Sequence, residues 1–393
     1  MGNSINKKFN ILRLVLYFVL IEIVIGGSGR MLEFGALSLK MLLFGIAMLL
    51  TFFNAKKIIL DKSLFFLEAF FLLLTLFSLS MGFFSNSELE NIFEDIKPLI
   101  FIIIINFFII TIDSTKTIDK VTSIIKYSSA FMAIIYIMIV LMLFLGILNF
   151  DVFYEGQSEN SEVMFRNEYM FFYKGFLYLG VGFLFLILSN KKIDQILSVL
   201  VFSALCLTLT RGFILMSILV YIFYIYFINK KIFLKIFISV IGISLAIYLL
   251  PIFFETLGDK SDSDVMRFIT FNQVIDEMTL FSFLFGHGFG HGVESRPIHM
   301  EISFLEIFHK QGIIGISFWL YLLYLNFKYY FKIKSKNYKR LVLPFLLSVC
   351  FTYLQSLTNP FINNPIGISI IMLSTVVLYK LTIFEKKNIH KFM

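Results

Sequence analysis

Charge is scarce in this chain. Asp, Glu, Lys and Arg make up 15% of its 393 residues, 59% are hydrophobic, and the mean hydropathy is +0.87. A water-soluble protein of that length would have to present far more polar surface, so an integral membrane protein is indicated instead. Sustained alternation of polar and apolar residues is lacking too, and the six prolines occur singly. That argues against an outer-membrane barrel, whose strands alternate, and for a helical bundle. No cleavage site follows the first apolar run, so residues 11–27 are expected to stay as a first span rather than leave as a signal peptide. The two cysteines, Cys206 and Cys350, fall inside apolar stretches, where they read as core fillers and say nothing of redox compartment. No heptads, low-complexity linker or internal repeat are evident, so the inverted-repeat signature of many transporters is not visible.

What the chain has in abundance is apolar runs of roughly 17–25 residues, the length that crosses a ~30 Å hydrocarbon core as a helix. Spans are predicted at 11–27, 36–53, 64–84, 98–112, 127–149, 169–189, 195–210, 212–228, 232–250, 302–325, 341–357 and 365–384. The fourth is short, and the seventh and eighth meet at Arg211 with almost no loop, so the count is twelve or eleven. The expected fold is an all-α polytopic membrane protein, one transmembrane helical domain over 1–393 with a large extracytoplasmic loop at 251–301. Charge tests this layout independently. With the N-terminus in the cytoplasm, cytoplasmic segments hold 23 Lys and Arg, and the outer side holds six: Arg30, Lys97, Arg166, Lys260, Arg267 and Arg296. That satisfies the positive-inside rule, and both termini are expected in the cytoplasm. Of 26 acidic residues, 18 fall on the outer side. They sit in solvated loops or, for residues 150–168, in a segment that folds over the outer opening and touches a polar substrate.

Charges inside spans are expensive and mark candidates for function. Lys40 and Lys174 are expected to snorkel to an interface. Glu22 and Glu68 would pair with a lysine, line a polar cavity or be protonated. Arg211 ends the seventh span in LTLTRGFIL, where its guanidinium would anchor the turn or meet phosphate oxygens in a bidentate way. In the outer loop, Val265, Phe268, Phe271, Val274 and Ile275 follow the spacing of an amphipathic surface helix, with Arg267 near its start. FGHGFGHG, Phe285 to Gly292, implies an irregular backbone able to approach a ligand or turn its amides towards an anion. It lacks the lysine and helix start of a nucleotide loop. His287 and His291 stand four apart, but with no third ligand at suitable spacing and a glycine-rich backbone that spoils a helical face, no metal is expected. Further on, His299, Ser303, Glu306 and Lys310 form one polar seam on an apolar helix, in which Glu306 and Lys310 can pair. His299 opens that helix as a candidate base or phosphate contact.

On these residues the chain resembles the O-antigen polymerase and O-antigen ligase superfamily, including the Wzy-type polysaccharide polymerases. The likeness rests on TRG at 210–212 ending a span, on Arg267 early in a large outer loop, and on Gly286, Gly288, His299, Gly312 and Gly315 leading into a long helix. Family members usually carry Asn after the histidine, where this chain has Met300. The resemblance implies a GT-C-like glycosyltransferase architecture in the bacterial inner membrane, with the active site on the extracytoplasmic face. It implies a glycan donor on undecaprenyl diphosphate, a lipid-linked repeat unit as acceptor, no cofactor and no required metal. A chain-length regulator and a flippase are further candidate partners, and nucleic acid is not one. Without a metal, guanidiniums suit the negative charge released on phosphate, which assigns Arg211 and Arg267 to the diphosphate, with Gly286 and Gly288 as further substrate contacts. His299 is the candidate base, Glu277 the reserve, and direct displacement would invert the anomeric centre. A polymerase is the favoured function, with a ligase acting on a lipid core or other acceptor as the alternative and a flippase for lipid-linked oligosaccharide as the alternative of another class. A flippase should carry its charges through the middle of the membrane, whereas these gather at one rim.

Overall fold

The computed structural model describes residues 2–27, 29, 33–34, 37–158, 162–228 and 261–391. The helices are α1 (Gly2–Ile25), α2 (Leu39–Phe53), α3 (Lys62–Phe84), α4 (Leu89–Leu99), α5 (Ile104–Thr111), α6 (Thr115–Phe144), α7 (Phe150–Ser158), α8 (Leu177–Ile187), α9 (Lys192–Leu207), α10 (Arg211–Phe223), α11 (Ser261–Asp276), α12 (Leu280–Phe285), α13 (Ser303–Lys332), α14 (Lys336–Gln355) and α15 (Pro365–Lys391). Two short antiparallel hairpins interrupt them. These are β1 (Glu33–Phe34) with β2 (Leu37–Ser38), and β3 (Val163–Phe165) with β4 (Phe171–Tyr173).

This is an all-α membrane protein, and its burial pattern is that of a bundle in lipid. The apolar residues of α8 and much of α14 and α15 are buried, while α3 and α6 expose Phe65, Leu73, Phe131 and Phe144 on their outer faces. Hydrocarbon is as apolar as those side chains, so no polar face is needed there. Among the described residues three helices, at Lys62–Phe84, Thr115–Phe144 and Pro365–Lys387, are long and apolar enough to cross a membrane. Stretches at Leu39–Phe53, Lys174–Ile187 and Arg211–Tyr226 are apolar but shorter. The predicted fourth span is broken: α4 ends after Pro98, a 3₁₀ turn covers Ile100–Ile103, and α5 follows. The predicted span 232–250 lies outside the described residues.

Lys40 differs from expectation. Rather than snorkelling, it is buried, donates to the Gly27 carbonyl and faces Glu22 at 3.8 Å. A carboxylate within the bundle offers the ammonium what the interface would otherwise supply.

The glycine turn after α12 is a wedge of backbone. Gly286, Gly288 and Gly290 all have positive φ, at 77°, 94° and 78°. A Cβ on Gly288 would overlap the Gly82 backbone of α3, and one on Gly286 would overlap the main chain at Lys310–Gln311. Helix α13 breaks at Gly312 (φ 62°), which frees carbonyls in the preceding turn. The His309 and Lys310 carbonyls accept from the amides of His287 and Gly288, both at 2.9 Å. Gly288→Ala is therefore expected to destabilise the protein by at least about 1–3 kcal/mol through backbone strain alone. The exposed Gly45 of α2 has open space around it, so Gly45→Ala should be neutral or stabilising by roughly 0.4–1 kcal/mol. Thermal unfolding in detergent separates the two, and an unchanged midpoint for Gly288→Ala would remove the wedge from the account.

Candidate active site

One end of the bundle gathers the end of α4, the start of α13, the glycine turn, the β3–β4 hairpin and the 356–364 turn. Together they enclose a cavity of 630 Å³. Positions 303, 306 and 310 of α13 share a face because helical residues three and four apart are neighbours. Ser303 Oγ donates to the Asn359 carbonyl at 3.0 Å, tying α13 to the 356–364 turn. The Lys310 ammonium, its side chain 4% exposed, donates to Glu306 Oε1 at 2.7 Å, Asp95 Oδ1 at 2.6 Å and the Ile298 carbonyl at 2.6 Å. Both carboxylates are completed elsewhere. Asp95 Oδ2 accepts from the Gly290 amide at 2.7 Å, and Glu306 Oε2 accepts from Asn363 Nδ2 at 2.7 Å. Every charge in this buried group thus has a partner, as low-dielectric surroundings require.

His299 stands at the cavity edge of that group. Its Nδ1 lies 3.3 Å from Glu306 Oε1 and 3.6 Å from Asp95 Oδ1, and the ring is half exposed. The Glu306 hydrogen bond raises its pKa above the ordinary 6.5, against an opposing effect of burial and of the Lys310 charge. With Nδ1–H directed at Glu306, Nε2 is the nitrogen left to take a proton. Asp95, His299 and Glu306 have ligand atoms within 4.8 Å of one another, as a metal site would. Here the Lys310 ammonium already supplies the cation between the two carboxylates.

The facing wall is cationic. Glu301 joins two arginines, accepting from Arg267 Nε at 2.8 Å and from an Arg296 terminal nitrogen at 2.6 Å. Arg267 also contacts Asp264 at 3.1 Å and the Thr358 carbonyl at 3.5 Å. Arg166 enters from the β3–β4 hairpin, 6.0 Å over the Phe172 ring, and Lys174 follows β4. Burial and the charge of Arg267 both act against the Arg166 cation. Five cations line the cavity against three carboxylates, Asp95, Glu301 and Glu306, leaving a net +2 before His299 is protonated. Like charges held this close favour an anion among them.

Of the residues singled out in the sequence, Arg267 and His299 line this cavity, and Glu306 and Lys310 pair as their spacing predicts. Arg211 begins α10 without lining it. The adjacent Gly212 carbonyl accepts from Gln355 Nε2 at 2.8 Å, which ties this helix start to the end of α14. Gly286 and Gly288 do not line the cavity and pack closely against the backbone of other elements. The amides of 286 to 290 are all engaged, with the Ser282, His309, Lys310 and Ser78 carbonyls and with Asp95. Glu277 lies instead beside three histidines behind the cavity wall, away from His299. Met300, where the family places an amide, is buried against Val274 and Val293. Amides reach the cavity from Asn359 and Asn363. Segment 150–168 does contribute to the cavity, through Met164 and Arg166.

Sequence reasoning missed Asp95, Arg296 and Asn363 and gave no binding role to Arg166 or Lys174. A signal for the arginines existed: cations expected on the outer side number only six. Three of them, Arg166, Arg267 and Arg296, converge here.

A comparison with curated proteins finds an O-antigen polymerase of Shigella flexneri that is 32% identical over 395 residues, covering 98% of this chain and 97% of that protein. No protein-family profile matches the chain.

Proposed function

The chain belongs to the O-antigen polymerase family, and from that premise we propose that it lengthens a polysaccharide by transferring glycan from undecaprenyl diphosphate to the hydroxyl of a lipid-linked repeat unit. The observation that carries this reading is the 630 Å³ cavity in which Arg166, Lys174, Arg267 and Arg296 face His299. The acceptor hydroxyl gives its proton to His299 Nε2 as its oxygen attacks the anomeric carbon. The bond from that carbon to the diphosphate oxygen breaks, and the lipid diphosphate leaves. Attack opposite the leaving group inverts the anomeric centre. The departing charge meets guanidiniums already oriented by Glu301, which need no reorganisation at the moment of reaction. No metal or cofactor takes part in these steps.

This reading includes about twelve spans in a GT-C-like arrangement, both termini in the cytoplasm, and the cavity at the extracytoplasmic face of the bacterial inner membrane. The lysine and arginine asymmetry supports it. Arg211, at the start of α10, is assigned to the diphosphate in this reading.

Incubating the purified protein with lipid-diphosphate repeat units tests the activity. A ladder of lengthened glycan is expected without any lipid-core acceptor. Product only with the core would instead make it a ligase, and no transfer under either condition would favour a flippase. Arg267→Ala and Arg296→Ala are each expected to slow elongation by roughly 10²–10³-fold, the loss typical of one donor to a developing anion. Near-normal elongation by folded Arg267→Ala protein would remove that guanidinium from the chemistry.

A further inference from the structure

Behind the cavity wall, three elements bring imidazoles and a carboxylate to one point. Glu277 follows α11, His287 and His291 belong to the glycine turn, and His309 projects from α13. The His287 ring lies 4.8 Å from that of His291 and 4.7 Å from that of His309, centroid to centroid. Glu277 Oε2 is 3.6 Å from His291 Nε2 and 3.8 Å from His309 Nε2. Ligand atoms of Glu277, His287 and His309 all fall within 4.8 Å of one another.

Two features separate this group from ordinary packed histidines. The His309 side chain is 1% exposed, and its Nε2 has no hydrogen-bond partner among the described residues. That nitrogen lies 3.8 Å from a carboxylate oxygen of Glu277. A buried polar nitrogen without a partner calls for an explanation, and a cation held between it and the carboxylate supplies one. In the neighbouring Asp95–Glu306 group the Lys310 ammonium fills that place, whereas among the described residues no lysine or arginine is paired with Glu277.

We propose that Glu277, His287, His291 and His309 form a binding site for a borderline divalent first-row cation of the zinc type. Imidazole and carboxylate donors suit such an ion, and a closed set of four protein ligands is the form of a structural site. Donor atoms of a tetrahedral zinc site lie roughly 3.4 Å apart, given bonds of about 2.0–2.1 Å. The observed 3.6 and 3.8 Å separations need only small closure. Stacked rings cannot both aim a lone pair at one point, so the partly exposed His291 must turn its ring to complete the set. The ion staples the end of α11 to the glycine turn and to α13. Since α11 carries Arg267, the staple holds that guanidinium at its place on the cavity wall. Nothing in this proposal depends on the polymerase reading.

The test uses the full chain, purified in lipid nanodiscs without an oligohistidine tag, stripped with EDTA and dialysed against micromolar zinc chloride. Metal content is read by mass spectrometry. One zinc per chain is expected, together with a rise in the unfolding midpoint. Glu277→Gln and His291→Asn, both at partly exposed positions, should each weaken zinc retention by at least about 10-fold, since even outer-shell changes cost 10–100-fold. Cobalt should give the intense visible bands of four-coordinate nitrogen and oxygen ligation. Absence of stoichiometric zinc in the wild type would overturn the proposal. So would equal retention by a monodisperse Glu277→Gln/His287→Asn/His291→Asn variant.

Discussion

Replacing His299 with alanine is expected to slow glycan transfer by roughly 10²–10⁴-fold, the range for loss of a positioned general base. The protein should stay folded, because His299 is half exposed and the Lys310 group beneath it keeps its own hydrogen bonds. The pH profile distinguishes a base from a mere contact. Glu306 raises the His299 pKa above 6.5. At pH 6.5 more than half of the rings are therefore protonated and cannot accept a proton, so activity should climb as pH rises through that elevated value. Glu306→Gln removes the leading cause of the shift and should move the acid limb to lower pH. Stability runs the opposite way. A raised folded-state pKa stabilises the protein fully below about 6.5, and that contribution fades as pH rises through the folded value. His299→Ala protein that elongates glycan within about threefold of wild type would end the base assignment, since even modest general-base catalysis is worth ~10²-fold.

The other large effect concerns stability. Lys310→Met should destabilise the protein by roughly 3–5 kcal/mol, because it leaves two buried carboxylates without their cation. Asp95 and Glu306 side chains are only 4% and 5% exposed, so water cannot replace the ammonium. Adding Asp95→Asn and Glu306→Gln should recover part of the loss. Neutral amides do not repel each other, and a buried ion group can be replaced by uncharged residues at little net cost. Thermal unfolding of the single and triple variants measures both steps. A single variant that melts like wild type, or a triple variant less stable than the single, would show that charge burial is not what Lys310 offsets.

The Glu306–Lys310 pair was legible in the sequence because both partners lie on one turn of one helix, and helical periodicity puts residues four apart side by side. Asp95 was not legible. It meets Lys310 across 215 positions of chain, and that depends on where α4 breaks near Pro98 and how it leans against α13. The glycines were recognised as a sign of close backbone approach, but what they approach was not written locally. Four amides of the turn find the carbonyls and carboxylate of other elements, so a stretch that looked ready for an anionic ligand is filled by the protein itself. His309 shows the same limit from the other side. As one more histidine on an apolar helix it carried no signal, and only the break at Gly312 and the fold of the glycine turn bring it to His287, His291 and Glu277.

By itself, the sequence determined that this is a helical membrane protein, where its apolar runs lie, and which side chains of α13 share a seam. Composition and period act over one element and survive any packing of the bundle. The tertiary structure alone decided that Arg166, Arg267 and Arg296 converge, that Asp95 joins Lys310, and that Arg211, Gly286, Gly288 and Glu277 stand off the cavity lining. Those outcomes follow from the rotation of each helix about its axis and from breaks at Pro98 and Gly312. Rotations of that kind are set by packing against neighbours distant in the chain, and no local pattern encodes them.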